Sequence, residues 1–461
     1  MKLQGGLAAA LVVALALAPA AAAIELWSSG DRSLEWSGSL RERLLTTNGT
    51  DAKAFSEAQR EAGAVCLLAA TFAECPAFRL MGDKDVVDSL SRLRQRFDLS
   101  WGPRWSATVV YDHELRLGNL DTFPGSLGGS ADTFLGLEDE IHTFGLKDDA
   151  NHRRWRHLLY RGFLHYEGES IHLTVGRQRI PWGVGRLWNP IDRFNAIPPL
   201  AVEGDQSPGI DALDLRWLLD GFDQIQLVYA PGTSHETARY AARYQGVIRD
   251  VDVGVMAGIF EQARTAGIDL AGNLGDAAWR LEAVFTDPEQ RVWLLDDPEP
   301  RERDPFWQVL VSLDYNFDIG DGLYVLVEHL YDGNALGFGE GRAGSLLPLF
   351  GASDEGPEAL AGAGPFVAPI PAARFAGSAV VSNARHQTGL QIGTDLSSAL
   401  RGDLVVLYDW NGESVAFFPS VAFTGLNSAE ITIGAQIFAG GRRSQFGEQE
   451  PMVYLLAEYF F

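Results

Sequence analysis

Apolar and polar positions alternate with period two along most of this 461-residue chain, the pattern of strands with one apolar and one wet face. From Leu93 to Trp101 one face carries Leu93, Gln95, Phe97, Leu99 and Trp101, and the other carries Arg92, Arg94, Arg96, Asp98 and Ser100. Gly102-Pro103 turns the chain. The next run sets Trp105, Ala107, Val109, Tyr111, His113 and Leu115 against Ser106, Thr108, Asp112, Glu114 and Arg116. The same reading predicts strands at 34–45, 155–166, 170–176, 210–219, 224–230, 239–248, 251–260, 266–273 and 278–285. Others follow at 305–317, 323–331, 386–396, 403–410, 414–425, 429–438 and 452–461. With the first hairpin this makes about 18 strands, an even number as single-chain bacterial barrels require.

The connections sort themselves by length. Starting with the first strand rising outward, every connection after an even strand is short, from Gly102-Pro103 to 426–428. The long segments 46–88, 119–154, 177–209, 286–304, 332–385 and 439–450 all follow odd strands, although three other connections after odd strands are brief. Outer-membrane barrels alternate short periplasmic turns with longer external loops in this way. The expected fold is therefore all-β: a transmembrane, antiparallel, up-and-down barrel in the outer membrane of a Gram-negative cell. Segment 332–385 is too long for a plain connection, which predicts a lid, an inward-folding loop or partial disorder.

Lys2, the apolar run 7–17 and the small residues 18–23 predict a signal peptide over 1–23, ahead of a barrel over 24–461. No other stretch has the roughly 18 consecutive apolar residues of a membrane-spanning helix. Aromatic content of 11%, 50 glycines and a mean hydropathy of −0.04 fit a wall facing lipid on one side and water on the other. A net charge of −24 argues against nucleic acid as a partner. Cys66 and Cys75 are close in the sequence of an exported chain and predict a loop disulfide. No His or Cys spacing suggests a metal site, and no cofactor is implied.

Two sets of residues carry candidate chemistry. The stretch from Gly176 to Asn195 holds Arg177, Arg179, Arg186 and Arg193 with Trp182, Trp188 and Phe194, beyond a strand and broken by Pro181. Tucked into the lumen, its arginines would present permanent, planar donors to a carboxylate or phosphate, and its aromatics flat faces to sugar rings. The same residues could instead brace the loop against the wall, with Asp192 neutralising one arginine. The second set is Arg92, Arg94 and Arg96 on one face, with Asp112 and Glu114 on the neighbouring strand. Facing basic and acidic ladders form either a selectivity field or a structural network of ion pairs.

The run Thr174-Val-Gly-Arg-Gln-Arg-Ile-Pro-Trp-Gly-Val-Gly-Arg186 resembles the alginate-export family of outer-membrane barrels. Arg177, Gln178 and Arg186 align with its motif, whereas Trp182 and the Trp188-Asn-Pro-Ile-Asp192 continuation depart from it. The resemblance implies 18 strands and an arginine-rich lumen that passes an acidic polysaccharide. The expected function is passive diffusion or export of hydrophilic, anionic solutes such as acidic sugars. An outer-membrane lipase or protease is the alternative, but the nine histidines accompany no Gly-x-Ser-x-Gly motif. An adhesin or surface-structural barrel is the other. The apolar row Val453, Leu455, Ala457, Tyr459 and Phe461 implies outer-membrane lipid and the barrel-assembly machinery as partners.

Overall fold

The computed structural model describes residues 23–50, 83–118, 143–146, 153–195, 209–219, 221–232, 237–288, 291–292, 301–302, 304–335, 384–441, 444–447 and 451–461. Cys66, Cys75, residues 1–22 of the expected signal peptide and most of segment 332–385 lie outside these residues.

Eighteen strands close into a barrel. Each pairs antiparallel with the next, from Arg32–Thr50 and Asp83–Trp101 through to Ala429–Ala439 and Met452–Phe460. The last strand pairs back on the first, from Ser39 with Phe460 to Thr47 with Met452, so the wall keeps no open edge. At this seam the Phe461 ring covers Gly38, where a Cβ would stand 2.8 Å from it, and meets Trp36 edge-on at 5.2 Å. Closure at the seam removes the lateral edge of the wall, as lipid requires.

Alternation decides what each face does. Outward positions such as Val255, Ile259, Val311, Val327 and Ile433 are exposed, while Glu282, Gln308 and Glu328 on the inward face are buried inside the barrel. Rings gather at both ends of the wall, with Trp101 stacked on Trp105 at one end and Phe285 against Trp307 at the other. Such girdles mark the two membrane interfaces of a β-barrel.

The strands run past their expected ends where the sequence no longer alternates. Arg32–Thr50 and Asp83–Trp101 stay in register to their tips, Thr50 opposite Asp83, which shortens connection 46–88 to 51–82. The other long connections start or stop within three residues of expectation. Ile24–Ser29 forms an additional strand on the edge of Arg32–Thr50, with Ile24 opposite Trp36. Thr143–Leu146 pairs with Arg153–Glu167, and Arg291–Val292 pairs with Arg301–Glu302 inside segment 286–304.

Candidate functional site: a constriction loop and a charged lumen wall

The strand Ile171–Gln178 leaves the wall early. Beyond it the chain turns into the lumen, and residues 180–195 lie against the inner wall at two places. Ile180, Trp182, Ile191 and Phe194 pack on Ile210, Val228, Met256, Phe260 and Val284. Leu187 and Trp188 pack on Leu310, Leu330, Leu407 and Phe446, farther round the barrel. Full burial of such a side chain contributes roughly 1.5–3 kcal/mol, so these anchors fix the loop firmly.

A loop without secondary structure must find partners for its amides, and two wall carboxylates supply them. Glu282 accepts from the N–H groups of Val184 at 2.5 Å, Gly185 at 2.7 Å and Ile191 at 3.0 Å. Glu328 accepts from those of Arg186 at 3.0 Å, Leu187 at 2.9 Å and Trp188 at 2.8 Å. The turn that presents these amides needs glycine. Gly183 has φ +84°, and a Cβ there would stand 2.0 Å from Asn189 Oδ1 and 2.6 Å from Glu282 Oε1. Gly183→Ala should therefore lower the thermal midpoint of the purified barrel, a shift readable by heat-dependent gel mobility.

The sequence-predicted residues of the loop divide into two groups. Trp182 is buried and donates from Nε1 to Gln226 at 2.9 Å, and Trp188 is buried against the far wall. Arg193 is buried too, donating to Thr286 and Gln308 at 3.2 Å each. Asp192 ties the end of the loop by accepting from the amides of Phe194 and Asn195, and burial pushes its carboxyl up to about 6. Arg179 and Arg186 are the other group. Both side chains are exposed, and neither has an ion pair among the described residues. Arg179 lies within electrostatic reach of Arg161 and of buried Asp192, and Arg186 within that of Tyr324 on the inner wall.

Arg177 and Gln178 hold the wall. Arg177 shares a face with outward Val175, not with the lumen, and grips Asp211 through Nε at 3.1 Å and Nη2 at 2.9 Å. Its Nη1 donates to the Leu159 carbonyl at 3.0 Å, where the strand's departure leaves a gap. Gln178 donates to the carbonyls of Thr174 and Ala212 at 3.1 Å each. Arg177→Gln should cost stability by about 1.5–3 kcal/mol, the worth of hydrogen bonds to a charged group. The reversal potential of the variant should match that of the unaltered protein.

The predicted ladders do meet on the inner wall. Arg92 stands opposite Glu114 and Arg94 opposite Asp112, joined at 2.7 Å and 2.5 Å. Arg96 pairs instead with Asp98 two residues on, at 2.5 Å. Arginine outnumbers acid here, because Glu114 is shared by Arg92 and Arg156, and Asp88 by Arg43 and Arg116. Arg94 also lies 3.6 Å from the centre of the Tyr160 ring.

No protein-family model matches the chain, and no curated protein does. Among solved structures it is similar to OccAB1 of Acinetobacter baumannii, with a TM-score of 0.50 at 8% identity, over 92% of this chain and 96% of that one. The fold is that of an outer-membrane β-barrel. OccAB4 of the same organism gives a TM-score of 0.49 at 9% identity, covering 94% of this chain and 98% of that one. At such identities the likeness concerns the path of the chain alone.

Proposed function

We propose that this barrel is a water-filled channel through which hydrophilic solutes pass down their own gradients, with a preference for anions such as acidic sugars. One observation carries the reading: Arg179 and Arg186 project from a loop whose backbone and other side chains are already held by the wall. The lumen's acids are largely committed, Glu282 and Glu328 to loop amides and Asp112 and Glu114 to arginines. An entering carboxylate would therefore meet guanidinium groups with little competition, in a confined space where charge is poorly screened.

Export of an acidic polysaccharide is the narrower form of this proposal, since such a polymer repeats the same carboxylate. It rests on Arg179 and Arg186, because Arg177 and Gln178 of the resembling motif are occupied in the wall. Swelling of proteoliposomes tests the preference. Glucuronate should enter faster than glucose, and glucosamine more slowly than either. Equal rates for the three sugars would contradict the proposal.

A further inference from the structure

The constriction loop meets a second connection as well as the wall. Residues 444–447, in the last long connection, bring Phe446 into the lumen, where it is 1% exposed in the apolar cluster that receives Trp188. Phe438 stacks on its ring at 6.5 Å, and Leu310, Leu330 and Leu407 lie in the same cluster. Those leucines belong to strands. Phe446 and Trp188 are the two buried members that do not.

A wall carboxylate holds this segment too. Asp409, buried at the end of Leu400–Asp409, accepts from the N–H groups of Asn411 at 2.8 Å, Gly412 at 2.9 Å and Gln445 at 3.2 Å. The Ser414 hydroxyl donates to Asp409 and accepts from the Phe446 N–H, at 3.2 Å each. Ser444 closes the turn, donating from Oγ to the Gly441 carbonyl at 2.7 Å and accepting from the Gly447 N–H at 3.0 Å. Asp409 thus serves the last connection as Glu282 and Glu328 serve the constriction loop, and the place of Phe446 is fixed through its own backbone.

We propose that Phe446 is a positioning residue for the constriction, a wedge that keeps Leu187 and Trp188 seated on the wall. The seat is close-packed: a Cβ at Gly185 would stand 2.6 Å from Leu310, and one at Gly389 3.1 Å from the Trp188 ring. Removing a ring from such packing leaves a cavity that its neighbours fill only in part. The other end of the loop, at Ile180, Trp182, Ile191 and Phe194, sits in a separate cluster whose remaining buried members all lie on strands. Loss of Phe446 should therefore loosen 186–188 and spare 194–195. Its effect on permeation rests on the channel reading, whereas its effect on the loop does not.

The test is amide hydrogen exchange of the full-length protein in lipid nanodiscs, read by mass spectrometry. In Phe446→Ala the amides of 186–188 should exchange faster by roughly tenfold or more, while those of the wall strand Val251–Phe260 keep their rates. Phe446→Leu retains most of the volume and should give a smaller acceleration at the same three amides. Single-channel conductance of Phe446→Ala should rise. Unchanged exchange at 186–188 in both variants would overturn the proposal, as would equal acceleration along Val251–Phe260, which would mark a general loss of stability. Local acceleration in a protein that conducts nothing would support the wedge and contradict the channel reading.

Discussion

Replacing Glu282 and Glu328 together by alanine should release the constriction loop, raising single-channel conductance and its noise while the barrel remains folded. The two carboxylates accept six loop amides between them. Leaving a buried donor without a partner costs about 1–3 kcal/mol, so a loop that stayed in place would lose several kcal/mol. Water in the lumen offers those amides new partners, and the apolar anchors around Trp182 and Trp188, with the hydrogen bonds of Trp182 and Arg193 to the wall, would oppose the move. Glutamine at both positions keeps an acceptor oxygen and should give a smaller effect. Single-channel recording separates the outcomes, and unchanged conductance in the alanine variant would show that the two carboxylates are not what holds the loop.

The paired substitution Arg179→Gln and Arg186→Gln should move the reversal potential toward cations with little change in stability. Both guanidinium groups are exposed and form no ion pair among the described residues; Arg179 acts on buried Asp192 only at a distance, so their removal should cost little stability. A unit charge 4 Å from a passing ion is worth about 1 kcal/mol even in bulk water and more in a narrow pore. Anion permeability relative to cation permeability should therefore fall roughly fivefold or more for each charge lost. The contrast with Arg177→Gln is useful, since that change should weaken the wall and leave selectivity alone. If Arg177→Gln moved the reversal potential and the double variant did not, the roles assigned to the loop arginines would be reversed.

The barrel was legible in the sequence because lipid imposes a strict rule on one face. Where that rule holds, as in Val251–Phe260 or Leu323–Asp332, the expected strand ends agree with the structure to within a residue. Where the sequence is polar at successive positions, as at the tips of Arg32–Thr50 and Asp83–Trp101, alternation carries no signal and the strands ran on unseen. The loop after Gly176 was expected to enter the lumen, but its side chains were read by type and not by parity. Val175 faces outward, so Arg177, two residues on in the same strand, does so too. That signal was available in the sequence.

Glu282 and Glu328 were harder to find. Each is one acid in an alternating strand, and acids are ordinary on the wet face of a barrel. The available clue was on the other partner: a loop with Gly183, Gly185 and Pro181 cannot satisfy its amides by pairing, so it needs acceptors from elsewhere. Which wall residues would supply them depends on how far round the barrel the loop reaches. Strand alternation does not record that distance. For Arg92, Arg94, Asp112 and Glu114 the relation was local, one hairpin with a short turn, and the expected opposition of the ladders is what the register displays.

The central claim is that the loop and ladder arginines make the lumen attractive to anions despite a net charge of −24 on the whole chain. Its most direct test is the reversal potential of the purified protein in a planar lipid bilayer, under a tenfold gradient of potassium chloride. The expected result is a channel whose zero-current potential lies on the chloride side. A potential on the potassium side, or a membrane that stays closed, would contradict it.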